Sequence, residues 1–234
     1  MRTIAVIARK GGSGKTTLST HLAIAAHLRG LKTLLADTDP QRSATEVLKA
    51  RRETGPERID TTAPKLFNVQ MGAVRSGVDA MIIDTPAGAA DELANAIVLA
   101  DLSLLVLRPT FLDMAAALQT VEVVRRLRKP AIVVLNQAPV ARGGSEPPQV
   151  RKAVRALGFM RLTVAPSIIR SRAAYQLALE CGCSAEEVGG DSAAAEDMAA
   201  LWSFIERFAF PKRPCETPDA EMPLFEFSRR VSAV

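Results

Sequence analysis

Two kinds of segment alternate along this chain. Short, almost wholly apolar runs stand at residues 3–7, 33–36, 80–83, 102–107 and 131–135, with a weaker one near 162–165. Runs of this length with no polar face fit strands that are covered on both sides. Between them lie stretches whose apolar residues recur near the helical period. The first, 16–28, has Leu18, Leu22, Ala25 and Ala26 on one side and closes at Arg29-Gly30,. Further helices are expected over 43–52, 69–76, 92–100, 114–127, 149–157, 173–180 and 193–208, while the polar segment 55–64 predicts no regular element. Strand and helix taking turns in this way predict an α/β fold: a doubly wound, mostly parallel sheet with helices on both faces. No internal repeat or break divides the body, so residues 1–210 are expected to form one domain. Four prolines between Pro211 and Pro223 mark 211–234 as a proline-rich C-terminal tail outside it,.

Composition narrows the picture. With 234 residues, 48% of them hydrophobic, the chain is long enough to bury a core without a disulfide or metal staple,. Aromatics make up only 4%, so Ala, Val, Leu and Ile must supply most of that core. No charge-free apolar stretch reaches the ~18 residues of a membrane span, which argues against one. The N-terminus runs straight from a short apolar segment into glycines, as a buried first strand does and a signal peptide does not. Cys181, Cys183 and Cys215 are odd in number and have no histidine nearby, which favours reduced cytosolic thiols over a metal site or disulfide framework,. The net charge of +5 is unevenly spread. Between Arg125 and Arg172 eleven bases face a single acid, Glu146. That stretch predicts one positive surface suited to a polyanion.

The candidate chemistry begins where the first strand ends, at Lys10-Gly11-Gly12-Ser13-Gly14-Lys15-Thr16-Thr17. A strand, a glycine-rich turn and a helix opening on Lys-Thr make a phosphate cradle. Glycines let successive N–H groups point at anionic oxygens, and the helix N-terminus adds partial positive charge. Lys15 is expected to reach the β- and γ-phosphates of ATP, and the Thr16 hydroxyl to ligate Mg²⁺. The strict pattern G-x-x-x-x-G-K-[ST] is not met, because Arg9 stands at its first glycine and an additional lysine, Lys10, precedes the paired glycines. Ligands of open α/β sheets sit at the carboxyl ends of the strands, where Asp37, Asp39 and Asp84 also fall,. Asp84 suits the outer coordination of Mg²⁺ through water, and Asp39 suits positioning the attacking water.

Three segments together carry a family resemblance. Lys10-Gly-Gly-Ser-Gly-Lys15-Thr-Thr, Asp37-Thr-Asp39-Pro-Gln41 and Ile82-Ile-Asp84-Thr-Pro86 resemble the deviant Walker A, switch I and Walker B segments of ParA-type ATPases, of the ParA/MinD family. The likeness extends to Arg170-Ser-Arg172-Ala-Ala-Tyr175 and Leu201-Trp202, which are similar to short plasmid-type ParA proteins. The resemblance implies a P-loop NTPase with weak basal ATPase turnover and an ATP-dependent homodimer. In such a dimer Lys10 crosses to the partner's phosphates while Lys15 serves its own subunit. It implies that Asp39 is needed for hydrolysis, that Asp37 helps organise magnesium in a metal site formed with Thr16, Asp39 and Asp84, and that Asn136 and the segment around Pro166 lie near the adenine. Two departures stand out: Ala8 where the family often has Asn, and a start directly on the first strand, without the helix-turn-helix extension of larger ParA proteins.

ParA-type dimers bind double-stranded DNA without sequence preference, so the basic stretch is the expected interface, through Arg151, Lys152, Arg155, Arg170 and Arg172,. The implied activity is that of a cytoplasmic, nucleoid-associated ATPase. It positions a plasmid, chromosome region or protein cargo, and a ParB-like or other adaptor stimulates its hydrolysis. Two alternatives compete. A MinD-like membrane-surface ATPase would use apolar residues beside Arg229 and Arg230 of the tail as an anchor,. A metabolic or redox relative, such as nitrogenase iron protein or dethiobiotin synthetase, would need a substrate pocket or strand-end cysteines, and all three cysteines come at or after position 181,.

Overall fold

A computed structural model of the protein describes residues 1–210 other than 89, 142, 161 and 191. In chain order the elements are β1 (Arg2–Ile7), α1 (Lys15–Leu28), β2 (Thr33–Asp37), α2 (Ser43–Ala50) and β3 (Glu57–Asp60), then a 3-10 turn (Ala63–Lys65) and α3 (Leu66–Arg75). The chain continues through β4 (Ala80–Asp84), α4 (Ala90–Leu99), β5 (Leu102–Leu107), α5 (Phe111–Arg126) and β6 (Ala131–Leu135). It ends with α6 (Pro148–Phe159), β7 (Thr163–Val164), α7 (Ala173–Glu180), α8 (Ala185–Val188) and α9 (Ala193–Ala209). Among the described residues the strands form a seven-stranded sheet in the order β3-β2-β4-β1-β5-β6-β7, every pair parallel.

The alternation of side chains along each strand sorts the core into two layers. Ile4, Val6 and Ala8 point to a face covered by α1, α2, α7 and α9, with Leu22, Leu48, Tyr175, Leu201 and Trp202 packed against it. Ala5 and Ile7 point to the opposite face, covered by α3, α4, α5 and α6 through Leu66, Leu93, Ile97, Val121 and Leu157. A parallel sheet covered on both faces is what the unbroken apolar runs require.

Two elements depart from the sequence-based expectation. Segment 55–64 contains β3, all four of whose residues are exposed. It is an edge strand that pairs with β2 through its backbone, from Leu34↔Glu57 to Asp37↔Asp60, and has no apolar face to reveal it. The short α8 lies where no helix was expected. A capping box between Ser184 and Glu187 and the ion pair Arg51–Glu187 hold its first turn,. The tail 211–234, and Cys215 with it, lies outside the described residues. Cys181 and Cys183 are free thiols.

Candidate functional site

β1 lies between β4 and β5, and the chain leaves its carboxyl end into α1, which leads to β2 on one side while β5 lies on the other. This is where the winding of an open α/β sheet reverses and where a crevice forms. The loop 8–14 fills that position. Gly12 has φ 70° and Gly14, the N-cap of α1, has φ 88°, both in the left-handed region that glycine tolerates,. The glycine at 14 is also required by space. A Cβ there would lie 2.2 Å from Asn136 Nδ2. That amide, at the end of β6, donates to the Ser13 carbonyl at 2.8 Å and braces the loop from below.

Beneath the loop the charged groups converge. Lys15 is only 7% exposed although it opens a helix at the mouth of the site. Burial lowers its pKa, and Asp84 and then Asp39 draw it partly back up. Asp84, the last residue of β4, is fully buried and accepts a hydrogen bond from Thr16 Oγ1 at 2.9 Å. Among the described residues its Oδ1 has no hydrogen-bond partner. Burial pushes its pKa up to about 7, with Asp37 adding to the rise and Thr16, Ser19 and Lys15 opposing it. A buried carboxylate with one unsatisfied oxygen, beside a hydroxyl at a helix N-terminus, fits a hydrated divalent cation. Thr16 and Asp84 are therefore the residues that would hold Mg²⁺, with Asp84 reaching it through water.

Asp37 and Asp39 sit differently from one another. Asp37 is buried, and its two oxygens accept the backbone N–H groups of Asp39 at 3.1 Å and Thr45 at 2.9 Å. Its carboxylate ties the loop 38–42 to the first turn of α2, and burial raises its pKa. Asp39 is half-buried on that loop and accepts from the Gln41 N–H at 2.9 Å. It lies close enough to Lys15 to raise that group's pKa. Pro166 is exposed just after β7, whose neighbour β6 ends at Asn136's doorstep, so both lie at the same end of the sheet.

Several groups of this region carry no sequence signal of their own. Thr38 donates its hydroxyl to the Asp84 carbonyl at 2.8 Å, which couples the loop after β2 to the end of β4. Thr45 Oγ1 hydrogen-bonds Asp60 on β3, and Arg42 pairs with the same carboxylate at 3.6 Å. Arg108 follows β5 and projects over the glycine loop. Its Nη1 lies 3.7 Å from the position a Cβ on Gly12 would take. The same side chain pairs with the buried Asp113 at 2.6 Å. Only the tertiary arrangement brings Arg108 to the loop and Thr38 to the end of β4.

The basic stretch divides. Lys152 and Arg155 are exposed on α6, and Phe159, one turn further, is 88% exposed. Arg151 is held by the Glu146 carbonyl at 2.7 Å. Arg170 is engaged by the Glu146 carboxylate and, at 2.9 Å, by the Pro139 carbonyl. Arg172 pairs with Asp197 at 3.1 Å. Of the five bases expected at one surface, the structure turns two fully outward and satisfies three internally.

The family model of the CobQ/CobB/MinD/ParA nucleotide binding domain matches residues 4–176, most of the described chain and every part of the loop site. The chain belongs to this family. The protein is a P-loop ATPase of the ParA/MinD group. The chain is 29% identical, over 207 residues, to the Maintenance of carboxysome distribution protein A of Halothiobacillus neapolitanus, covering 83% of this chain and 91% of that one. The ATP complex of an aspartate-to-alanine variant of Cyanothece McdA superposes with a TM-score of 0.70 at 19% identity, over 92% of this chain and 99% of that one. The Mg-ADP complex of the septum site-determining protein MinD from Pyrococcus horikoshii superposes at 0.71 and 19%, over 89% and 97%. At that identity the two structures speak for the shared fold.

Proposed function

We propose that this protein is an ATP-dependent positioning ATPase that dimerises around nucleotide, holds double-stranded DNA without sequence preference and moves a cargo over it. ATP and Mg²⁺ are its cofactors. The observation that carries this reading is the pair of lysines in one loop. Lys15 is buried near Asp84, whereas Lys10, on the outer arm of the loop (residues 10–12), is half-exposed. A loop that needs only to hold its own nucleotide has no use for the second lysine. A loop that meets a second subunit does. Phe111 at 84% and Leu112 at 62% exposure, at the start of α5 on the same end of the sheet, supply apolar surface for that meeting,.

The residues divide the work. The loop N–H groups and the start of α1 bind the phosphates, and Lys15 neutralises them. Thr16 and Asp84 hold the magnesium, which supplies charge neutralisation at the phosphates. Asp39, on a loop tethered by Asp37 and Thr38, orients the attacking water. Asn136 and Pro166 border the base, and Lys10 reaches the partner subunit's nucleotide. Lys152 and Arg155 meet DNA phosphates, with Arg151, Arg170 and Arg172 shaping the surface behind them. The similarity to a carboxysome distribution protein favours a protein assembly as cargo, with a plasmid or chromosome region as the other candidates and a ParB-like or other adaptor as stimulator of hydrolysis.

Retention on DNA measured with ATP, with ADP and without nucleotide tests the proposal. Retention with ATP alone is expected. Equal retention in all three conditions, or none in any, would refute it. Flotation with anionic liposomes, using chains with and without residues 211–234, separates it from a membrane-surface ATPase.

A further inference from the structure

Arg108 belongs to none of the three motif segments, yet the fold brings it over the phosphate loop. It is the residue after β5, the strand paired to β1, so its side chain emerges beside the outer arm of the loop. Its conformation is fixed by Asp113. That carboxylate is 2% exposed and takes the side of the guanidinium, with Nε at 2.6 Å on one oxygen and Nη2 at 3.1 Å on the other. The Arg108 backbone N–H donates to the same carboxylate at 3.2 Å. Asp113 is fixed in turn, because its N–H donates to Thr110 Oγ1, the N-cap of α5, at 3.2 Å.

A side-on pair of this kind leaves over the far nitrogen of the fork, Nη1, with two N–H groups. Nη1 is the atom that approaches Gly12. A cation needed only to balance Asp113 would not have to present its remaining donors to a loop whose own N–H groups collect anions. The rigid partner also means that little side-chain freedom is lost when those donors meet an oxygen anion.

We propose that Arg108 contacts the terminal phosphate of the bound nucleotide and that Asp113 is its positioning residue. This rests on the reading of the loop as an ATP site and adds to it a device that distinguishes ATP from ADP. The N–H groups at the start of α1 take the deeper phosphates, and Lys15 spans the β- and γ-phosphates. The outer arm, residues 10–12, faces the phosphate that ADP lacks. Arg108 stands on that arm, so its N–H donors are used by ATP and left idle by ADP.

Equilibrium titration with fluorescent ATP and ADP analogues in Mg²⁺ tests this on wild type, Arg108→Gln, Asp113→Asn and Lys15→Ala. Arg108→Gln is expected to weaken ATP about tenfold, the scale of one charge-assisted hydrogen bond, and ADP less than about twofold. Asp113→Asn keeps the shape of the carboxylate but loosens the fork. It is expected to lower the ATP-to-ADP affinity ratio in the same direction and by less, and Arg108→Lys to recover part of the Arg108→Gln loss. If ATP and ADP weaken equally, or neither changes, the assignment fails. Should Asp113→Asn disturb α5, seen as a lower melting temperature without nucleotide, Arg108→Gln alone decides the matter, since it leaves the Thr110 cap untouched. Failure of wild type to bind either nucleotide more tightly than Lys15→Ala would instead overturn the ATP-site reading itself.

Discussion

Lys15 and Asp84 show how burial turns common residues into a site. Each is an ionisable group taken largely out of water, and each is close enough to shift the other's pKa. Lys15→Ala is expected to abolish ATP binding in the titration described above, while Lys10→Ala is expected to spare binding and impair nucleotide-dependent dimerisation or turnover, read by sedimentation and phosphate release. Unchanged dimerisation and turnover in Lys10→Ala would rule out its role across the subunits. His21 makes a separate case at the same scale. It is fully buried in α1, its Nδ1 donates to the Thr17 carbonyl at 2.8 Å, and its Nε2 has no partner among the described residues. The ring packs edge-on to Tyr175, 5.3 Å between centroids. Burial lowers its pKa to about 4 from 6.5, so the folded protein holds it neutral. As pH falls through 6.5 the unfolded chain takes up this proton first and the folded state loses stability, down to about pH 4 where the folded protein protonates too,. The loss attributable to His21 is up to about 3 kcal/mol. Urea denaturation of wild type and His21→Gln at pH 7 and pH 4.5 checks it, and the wild type should lose more on acidification than the variant.

At the scale of elements, the phosphate loop and α8 are held by contacts that leave little tolerance. Gly14→Ala combines a positive φ of 88° with a Cβ at 2.2 Å from Asn136 Nδ2. It is expected to displace the loop and weaken both ATP and ADP at least tenfold, in contrast to Arg108→Gln, with the far-ultraviolet spectrum unchanged. The end of α2 and the start of α8 are joined by Arg51, whose side chain is 3% exposed and whose two terminal nitrogens reach Glu187 at 2.9 and 2.7 Å. Gly182 packs against the backbone N of Arg51, where a Cβ would come within 2.3 Å. Removing one partner of such a pair strands the other, so Arg51→Ala is expected to cost about 3 kcal/mol in chemical denaturation. β3 and α8 are invisible in the sequence for one shared reason. Hydrophobic periodicity reports burial, and both are stabilised by backbone pairing, caps and an ion pair instead. The helices and strands that bury a face were legible to within a few residues for the same reason.

Across the whole molecule the expected polyanion surface becomes smaller than the charge count suggests. Counting bases along 125–172 takes no account of which of them are already paired: Glu146, within the stretch, engages Arg170, and Asp197, on α9, engages Arg172. The double variant Lys152→Ala/Arg155→Ala is therefore expected to weaken DNA retention and reduce its salt dependence by about two counter-ions. Arg170→Ala is expected to lower the melting temperature more than it lowers DNA affinity. The reverse ranking would return the interface to the Arg170 side. Among the described residues no helix is long and apolar enough to cross a membrane.

The phosphate loop, the strand-end aspartates and the two-layer fold are determined by local sequence. Glycines at fixed spacing, apolar runs and the residue types at strand ends each act over a few neighbours, and a parallel sheet brings strand ends together whatever the loops do. Tertiary structure alone decides which charges remain available and which residues join the site from afar. Asp113 turns Arg108 toward Gly12, Asn136 braces Gly14, Thr38 joins the end of β4, and Glu146 and Asp197 remove two arginines from the surface. Each of these depends on a distance between elements far apart in the chain, and a sequence of residue types does not encode distances.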